Sequence, residues 1–397
     1  MNEFFPEPEL YKHATRRPEN ELLLLCAHRG GGAAAAGRVG ELARGAPDWE
    51  HLFRLARRHA LLPLLSSGLE SYAHDICPPE FRARLRGNFR EGAARGTLLA
   101  GELLRVARLF ESEGVPLLAY KGPALAVQAY GRLSLRRFVD LDVVVRREDV
   151  ARAGVLLRTL GFEKPAGLGA SQERFLLRRQ HNLAYTRDVA RLTVELHWEL
   201  APAPFASVPV DDETWGRAAS VRLLGGEVKT LAPEDLLLAL SVHGTKHLWG
   251  RLAWVCDVAA LVNSQADLDW PAVVRRARRS RVERMLYLAL RLARGLLGAT
   301  LPEDLLAATR EPSTVSLASE VARALFKEGD YAPAGFVRGV GFNLRVRRRL
   351  REKAAYLGYA LTPTDGDLTA VSLPAGMSFL YYLLRPLRLA LKREEGH

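Results

Sequence analysis

Three acidic residues stand at spacings that suit metal-dependent chemistry. Asp140 and Asp142 are separated by one residue in an apolar segment, and Glu195 lies in a later segment of the same kind. Side chains alternate between the faces of a strand, so the two aspartates are expected to share one face. Paired carboxylates repel each other unless a cation lies between them, and Mg²⁺ prefers such oxygen ligands. A nearby strand carrying Glu195 would complete a three-carboxylate site.

The neighbouring residues predict how both strands are oriented. In the first strand, the apolar face is formed by Val139, Leu141, Val143 and Val145. In the second strand, the polar face that carries Glu195 also holds Thr193, His197 and Glu199, opposite Val194, Leu196, Trp198 and Leu200. Both patterns are typical of strands with one face in a core.

A glycine turn precedes these acids. Residues 115–120 form a short apolar run that predicts a buried strand, and the run ends at Lys121 and Gly122. Pro123 then fits the first position of a helix that extends to about residue 130. Because free N–H groups and the helix dipole favour an anion at such a helix start, the sequence predicts a phosphate site there.

These motifs together resemble a known family. The run LAYKG at residues 118–122, Arg136, the Asp140–Asp142 pair and the run ELHW at residues 195–198 are similar to the uncharacterised nucleotidyltransferase family of the DNA polymerase β superfamily. The run HGTKHLW at residues 243–249, followed by Leu252 and Asp257, resembles the helical-domain signature of that family. The similarity extends over nearly the whole chain.

The resemblance implies a reaction and its cofactors. It implies transfer of a nucleoside monophosphate from an NTP with release of pyrophosphate, assisted by two Mg²⁺ ions or by Mn²⁺ in their place. Asp140 and Asp142 would bridge the metals, Glu195 would help to hold the catalytic ion, and Gly122 would touch the triphosphate. Pro123 departs from the Gly-Ser or Gly-Gly turn of the superfamily and removes one N–H donor.

Seven residues are predicted to contact the substrate, namely Lys121, Gly122, Arg136, His197, His243, Lys246 and His247. Two of these residues also have a purely structural alternative. His197 would equally well pack beside Trp198, and Lys246 would equally well be a solvated helix residue. His181 is a weaker candidate, and Asp257 is predicted to anchor a helix by pairing with an arginine. The zinc-protease pattern does not apply, because Gly244 stands where that pattern requires Glu.

The composition indicates which partners and which cellular compartment to expect. The 57 Lys and Arg residues exceed the 45 Asp and Glu residues and give a net charge of +12. This charge favours an anionic partner, so nucleic acid is a further candidate partner, although arginines on solvated helices give the same total. The three separate cysteines indicate a reducing cytosol, so we expect a cytoplasmic protein. No apolar run approaches the ~20 residues of a transmembrane helix.

The order of elements predicts an α+β fold with an α/β-type core. Helical periodicity is followed by strands and helices at residues 115–120, 123–130, 138–145, 147–160, 182–186 and 191–200, the last two forming a hairpin. We therefore predict a small mixed β-sheet embedded between helical regions. The predicted divisions are a helical N-terminal region (1–100), a nucleotidyltransferase catalytic core (101–215), a helical domain (216–330) and a basic helical C-terminal region (331–397). The Gly- and Ala-rich residues 30–37 are predicted to be a flexible connection.

The leading functional hypothesis is a Mg²⁺-dependent nucleotidyltransferase that acts on a small molecule, peptide, protein or RNA acceptor. The alternative is a catalytically inactive protein of the same fold that binds nucleotide or nucleic acid. A third hypothesis is a nucleic-acid-binding interaction protein, whose affinity would fall steeply with salt.

Overall fold

Helices dominate the chain before its first strand. The computed structural model describes residues 8–28, 30–164, 180–206, 208–327 and 335–362. The first helices are α1 (Pro8–Ala14), α2 (Pro18–Ala27), α3 (Gly32–Arg44), α4 (Trp49–Arg58), α5 (Leu62–Tyr72) and α6 (Pro79–Ser112). The prediction of a flexible connection at residues 30–37 is wrong from Gly32 onward, because this segment begins α3. Its alanines have the highest helix propensity of all residues.

A six-stranded mixed sheet follows. Its strands are β1 (Leu117–Ala119), β2 (Leu141–Val145), β3 (Asn182–Arg187), β4 (Leu192–His197), β5 (Ala219–Leu223) and β6 (Gly226–Thr230). The spatial order is β3-β4-β2-β1-β6-β5. The pairs β2–β4 and β1–β6 are parallel and the other neighbours are antiparallel. The predicted α+β class and the β3–β4 hairpin are confirmed.

The hairpin of β5 and β6 was missed by the sequence analysis. Its turn residues Leu224 and Gly225 both have positive φ, which is typical of tight hairpin turns. A leucine in this position is a weak turn signal, so the alternation around it passed unnoticed. The predicted helical domain at residues 216–330 therefore begins with two strands of the sheet.

The start of β2 also differs from the prediction. Strand β2 begins at Leu141, and Val139, which was assigned to its apolar face, is 63% exposed. The physical reason is the pairing: β4 reaches back only to Leu141, and β1 pairs only with Val143–Val145. Residues 138–140 thus have no strand partner, and Asp140 precedes the strand.

Helices cover both faces of the sheet. Between the strands lie α7 (Gly122–Tyr130), α8 (Val150–Thr159) and the short α9 (Asp212–Gly216), and a 3₁₀ turn at Arg147–Asp149 leads into α8. Residues Leu141, Val143 and Val145 of β2 share a core with α6 and α8. Tyr120 and Val144, on the opposite face, belong to a larger core formed with the other helices.

The remaining helices follow β6. They are α10 (Pro233–Lys246), α11 (Leu252–Ser264), α12 (Trp270–Arg279), α13 (Glu283–Leu297), α14 (Glu303–Thr309), α15 (Pro312–Leu325), α16 (Phe336–Val346) and α17 (Leu350–Ala360). Among the helices of the described ranges, none has the length and apolar character needed to cross a membrane. The part of the predicted C-terminal region beyond residue 362 lies outside the described residues.

Gly244 lets α10 approach the turn that follows it. A Cβ added at Gly244 would lie 2.5 Å from ring atoms of Trp249, which is fully buried. At Gly101, on the exposed side of α6, an added Cβ would meet open space. The two helical glycines therefore form a matched pair for substitution.

We expect Gly244→Ala to lower the free energy of unfolding by about 1–3 kcal/mol, because the Trp249 ring must be displaced within a packed core. Gly101→Ala should raise it by about 0.5–1 kcal/mol through the lower entropy of the unfolded chain. Urea unfolding of both variants measures the difference. Equal effects of the two substitutions would contradict the packing argument.

His59 connects three helices as a neutral ring. It is fully buried at the end of α4; its Nε2 lies 3.0 Å from the Leu325 carbonyl oxygen and its Nδ1 lies 3.2 Å from the Leu252 amide nitrogen. The carbonyl needs a donor and the amide needs an acceptor, so one nitrogen carries the proton and the other cannot. Burial is the main cause that lowers the pKa of His59 to about 3, followed by the charge of Arg58.

This depressed pKa predicts acid sensitivity. The unfolded chain has a histidine pKa of about 6.5, so stability is fully present above that pH and is lost as the pH falls towards the folded pKa of about 3. The slope is at most about 1.4 kcal/mol per pH unit. Between about pH 7 and about pH 5 the native protein should lose about 2 kcal/mol more than His59→Gln. Urea unfolding at both pH values checks this, and parallel losses would refute it.

Candidate functional site

The parallel pairing of β2 with β4 brings two acids side by side. Asp142 and Glu195 are direct Cα partners in the register, so their side chains project from the same face of the sheet. Val144 and His197 are the next same-face partners, which places His197 beside the acids. Asp142 is 4% exposed, whereas Glu195 is only half-buried. Asp142 and Glu195 therefore converge from two strands, as predicted.

His197 joins the two carboxylates. Its Nε2 atom lies 3.2 Å from Asp142 Oδ1 and 3.2 Å from Glu195 Oε2. Asn182, the first residue of β3, donates from Nδ2 to the same Glu195 oxygen at 3.0 Å. One ligand atom from each of Asp142, Glu195 and His197 lies within 4.8 Å of the others, so this group can hold a metal ion. The Nδ1 atom of His197 is buried without a partner among the described residues.

Lys121 supplies the positive charge next to Asp142. Its Nζ lies 2.5 Å from Asp142 Oδ1 and 5.0 Å from the centre of the Tyr120 ring. Burial disfavours the ammonium ion, but the charge of Asp142 and the groups around it outweigh burial and raise the pKa of Lys121. Burial likewise opposes ionisation of Asp142, yet Lys121 and His197 together lower its pKa. Both groups are therefore charged at neutral pH.

Asp140 lies at the margin of this group. It is half-buried, precedes β2 and is not among the three residues whose ligand atoms converge. Burial, followed by the charge of Asp142, raises its pKa, whereas a hydrogen bond from His197 is the main cause that lowers the pKa of Glu195. Of the predicted triad, Asp142 and Glu195 lie in the cluster, and His197 rather than Asp140 supplies its third ligand atom. Metal binding by Asp140 stays a prediction.

The turn at Gly122 is adjacent to Asp140. Gly122 has φ +53°, and a Cβ added there would lie 3.1 Å from the Asp140 carbonyl oxygen. Helix α7 begins at this residue and ends before Gly131, which also has positive φ but open space around it. Glycine at position 122 is thus required by both backbone conformation and close approach.

The C-terminal end of α10 forms the opposite wall. Lys246 Nζ lies 3.4 Å from His181 Nε2, and the His181 ring lies 5.7 Å from the His197 ring. The rings of His243 and His247 lie 4.7 Å apart with their planes tilted by 53°, and both contact the Trp254 ring. The predicted residues at the C-terminal end of α10 therefore lie on the side of that helix that faces the site.

The imidazoles of this wall are neutral at pH 7. Burial, and then the charge of Lys246, lowers the pKa of His181 to about 2 and that of His247 to about 4. Burial is also the largest cause that lowers the pKa of His243 and of Lys246. An anion bound between the two lysines would relieve their mutual repulsion.

Arg136 is engaged in a buried ion pair, and its contact with substrate stays a prediction. Its Nε and Nη2 donate to Asp257 at 2.8 and 3.0 Å, and the Tyr130 hydroxyl donates to the same carboxylate at 2.8 Å. This bidentate pair ties the segment before β2 to α11. A phosphate contact through Arg136 would require the pair to break, whereas the predicted pairing of Asp257 with an arginine is present.

Asn182 and Trp254 were missed by the sequence analysis, and His181 was given little weight. Asn182 and His181 reach the site only because the β3–β4 hairpin places Asn182 opposite His197. The register of that hairpin is the only signal that could have identified them. Trp254 lies close to His243 and His247 through the packing of α11 on α10.

Substitution of the two positive-φ glycines of α7 tests the site geometry. Gly131→Ala should lower the free energy of unfolding by about 1–2 kcal/mol through backbone strain alone. Gly122→Ala adds the contact with the Asp140 carbonyl, so we expect at least about 1 kcal/mol of further loss. Urea unfolding measures both values. A smaller loss at Gly122 than at Gly131 would show that the turn is not constrained by Asp140.

Comparison with known proteins gives two findings. A family model described as an uncharacterised nucleotidyltransferase matches residues 45–298, which include every strand of the sheet and every residue of the site. Among solved structures, one similar chain is an antigenic nucleotidyltransferase-like protein from Paracoccidioides brasiliensis, with 15% identity over 53% of this chain and 96% of that chain and a TM-score of 0.30. No curated protein matches the chain.

Proposed function

The chain belongs to the uncharacterised nucleotidyltransferase family, and on this premise we propose that it transfers a nucleoside monophosphate from an NTP to an acceptor, with release of pyrophosphate and dependence on two Mg²⁺ ions. The observation that carries the proposal is the parallel register that pairs Asp142 with Glu195 on the site face of the sheet. The acceptor is a small molecule, a peptide, a protein side chain or an RNA end.

The donor set fits a divalent cation. Two carboxylates and one imidazole converge within 4.8 Å, and carboxylate oxygens are the ligands that Mg²⁺ and Mn²⁺ prefer. Imidazole is a more usual ligand for Mn²⁺ or Zn²⁺ than for Mg²⁺, so Mn²⁺ is an alternative ion. Bound cations would neutralise charge on the triphosphate and lower the pKa of the attacking hydroxyl.

The residues of the chain would bind and orient the reactants around this position. Asp142 and Glu195 are ionised and would hold the cations, and Asn182 fixes the Glu195 carboxylate by its hydrogen bond. The start of α7 at Gly122 would receive phosphate oxygens, since the helix dipole favours an anion there. Lys246 would reach the phosphates from α10 as a mobile point charge.

The aromatic group of α10 and α11 has a proposed role in substrate binding. His243 and His247 are predicted to contact the substrate, and both are uncharged and packed against the Trp254 ring. These rings would contact the nucleoside rather than the phosphates, because an uncharged ring cannot neutralise the negative charge of a phosphate.

A second candidate function is nucleotide binding without chemistry. Two observations favour it: Lys121 already neutralises Asp142 at 2.5 Å, and Pro123 withholds one N–H from the predicted phosphate turn. A protein of this kind would bind an NTP and release it unchanged.

Substitutions of the acids separate these functions. Each α-labelled NTP is incubated with Mg²⁺ and candidate acceptors, and labelled product and pyrophosphate are measured. Asp142→Asn and Glu195→Gln should each lower turnover by at least about 100-fold, since several kcal/mol of transition-state stabilisation is lost. Asp140→Asn should have an effect of the same size if Asp140 also holds a metal. The control Glu199→Gln, at a residue paired with Arg147 beyond the end of β4, should stay within about threefold.

The outcomes discriminate clearly. A protein that binds NTP without product formation, and whose Asp142→Asn variant keeps its affinity, is the non-catalytic binder. If the protein shows no metal-dependent NTP binding under any of these conditions, it is neither a transferase nor a nucleotide-binding protein, and the proposed function fails.

A further inference from the structure

Lys121 occupies the place next to Asp142 where a cation would bind. Its ammonium and the His197 Nε2 both contact the same oxygen, Asp142 Oδ1, at 2.5 and 3.2 Å. All three side chains are at most 12% exposed. A divalent ion binds a carboxylate oxygen at about 2.0–2.6 Å, so an ion on Oδ1 would lie within a few ångströms of the lysine ammonium.

Two such cations on one buried oxygen repel each other strongly, since the interior screens charges poorly. The Lys121 side chain is a flexible chain of four methylene groups, and Lys121 directly precedes Gly122, where α7 begins. Rotation about the bonds of this flexible side chain would move the ammonium away from Asp142.

We propose that Lys121 is a built-in counterion that competes with a divalent cation for Asp142, so that cation binding and the Lys121–Asp142 ion pair exclude each other. This inference rests on the proposed function, because it takes Asp142 as a cation ligand. In the cation-free protein the ammonium keeps the buried carboxylate compensated. When a divalent ion binds, the ammonium leaves Asp142 and faces the substrate.

Lys246 provides the matched control. It is the other lysine of the site and contributes to the electrostatic environment of the same acids, but its Nζ contacts His181 rather than Asp142. General electrostatic repulsion of a cation would be relieved by removing either lysine. Direct occupancy would be relieved only by removing Lys121.

The experiment measures binding of Mn²⁺ alone, from the electron paramagnetic resonance signal of the free ion, to the full-length protein and its variants. Lys121→Met should bind Mn²⁺ at least about tenfold more tightly than the native protein, and Lys246→Met should stay within about threefold. Lys121→Arg, which keeps the charge, should bind as weakly as the native protein. Equal gains for the two methionine variants, or no gain for Lys121→Met, would overturn the proposal.

A second measurement needs no substitution at Lys121 and thus no assumption about the folding of a variant. Acetylation of lysines in the native protein by acetic anhydride is followed by mass spectrometry with and without saturating Mn²⁺. The rate at Lys121 should rise severalfold when Mn²⁺ is bound, because the ammonium is released from its buried contact. An unchanged rate at Lys121 overturns the competition.

Asp142→Asn in the Lys121→Met background distinguishes this inference from the function beneath it. If Mn²⁺ binding is lost in the double variant but the native protein and Lys121→Met bind equally, only the competition is wrong. If Mn²⁺ binding does not depend on Asp142, the cation site and with it the proposed function are both wrong.

Discussion

A carboxylate that is almost completely removed from water must be compensated by positive charge and hydrogen bonds. Asp142 is such a carboxylate, and the arrangement of the site depends on its compensation. Asp142 is the second residue of β2, a strand that is buried along its whole length. Its compensation comes from elements that are distant in sequence: Lys121 at the end of β1 and His197 on β4. The central strands of the sheet are therefore linked through one charged group as well as through their backbone hydrogen bonds.

The helices maintain this arrangement from outside the sheet. Asp257 on α11 is almost completely buried and receives hydrogen bonds from Arg136 and Tyr130. These bonds connect the end of α7 and the middle of the segment before β2 to the helical part of the molecule. Gly122 begins α7 and Asp140 ends the segment before β2, so this buried ion pair holds the stretch of chain that joins the glycine turn to the acids.

The charges of the site are divided between two structural layers. The acids project from the sheet, whereas Lys246 and the neutral imidazoles are carried by α10 and by the residue before β3. This division of acids and bases between two layers agrees with membership of a nucleotidyltransferase family. Lys121 is the base that contacts the acid layer directly, through its ion pair with Asp142.

Much of the site could be predicted from local sequence. Period-two alternation placed Asp142 on one face of its strand and Glu195 and His197 on one face of theirs, and the apolar run before Lys121 and Gly122 identified the turn. These features follow from side-chain direction in a strand and from the backbone freedom of glycine, which are properties of a few neighbouring residues.

The tertiary structure alone decided which of these residues meet. The start of β2 at Leu141 depends on where β4 and β1 offer hydrogen-bonding partners, and this placed Asp140 before the strand and His197 within the cluster. The pairing of Arg136 with Asp257 and of Lys121 with Asp142 likewise depends on residues that no local pattern connects. Alternation fixes the face of a strand, but the register between strands and the choice of a buried counterion are set by long-range packing, which the order of residues does not display.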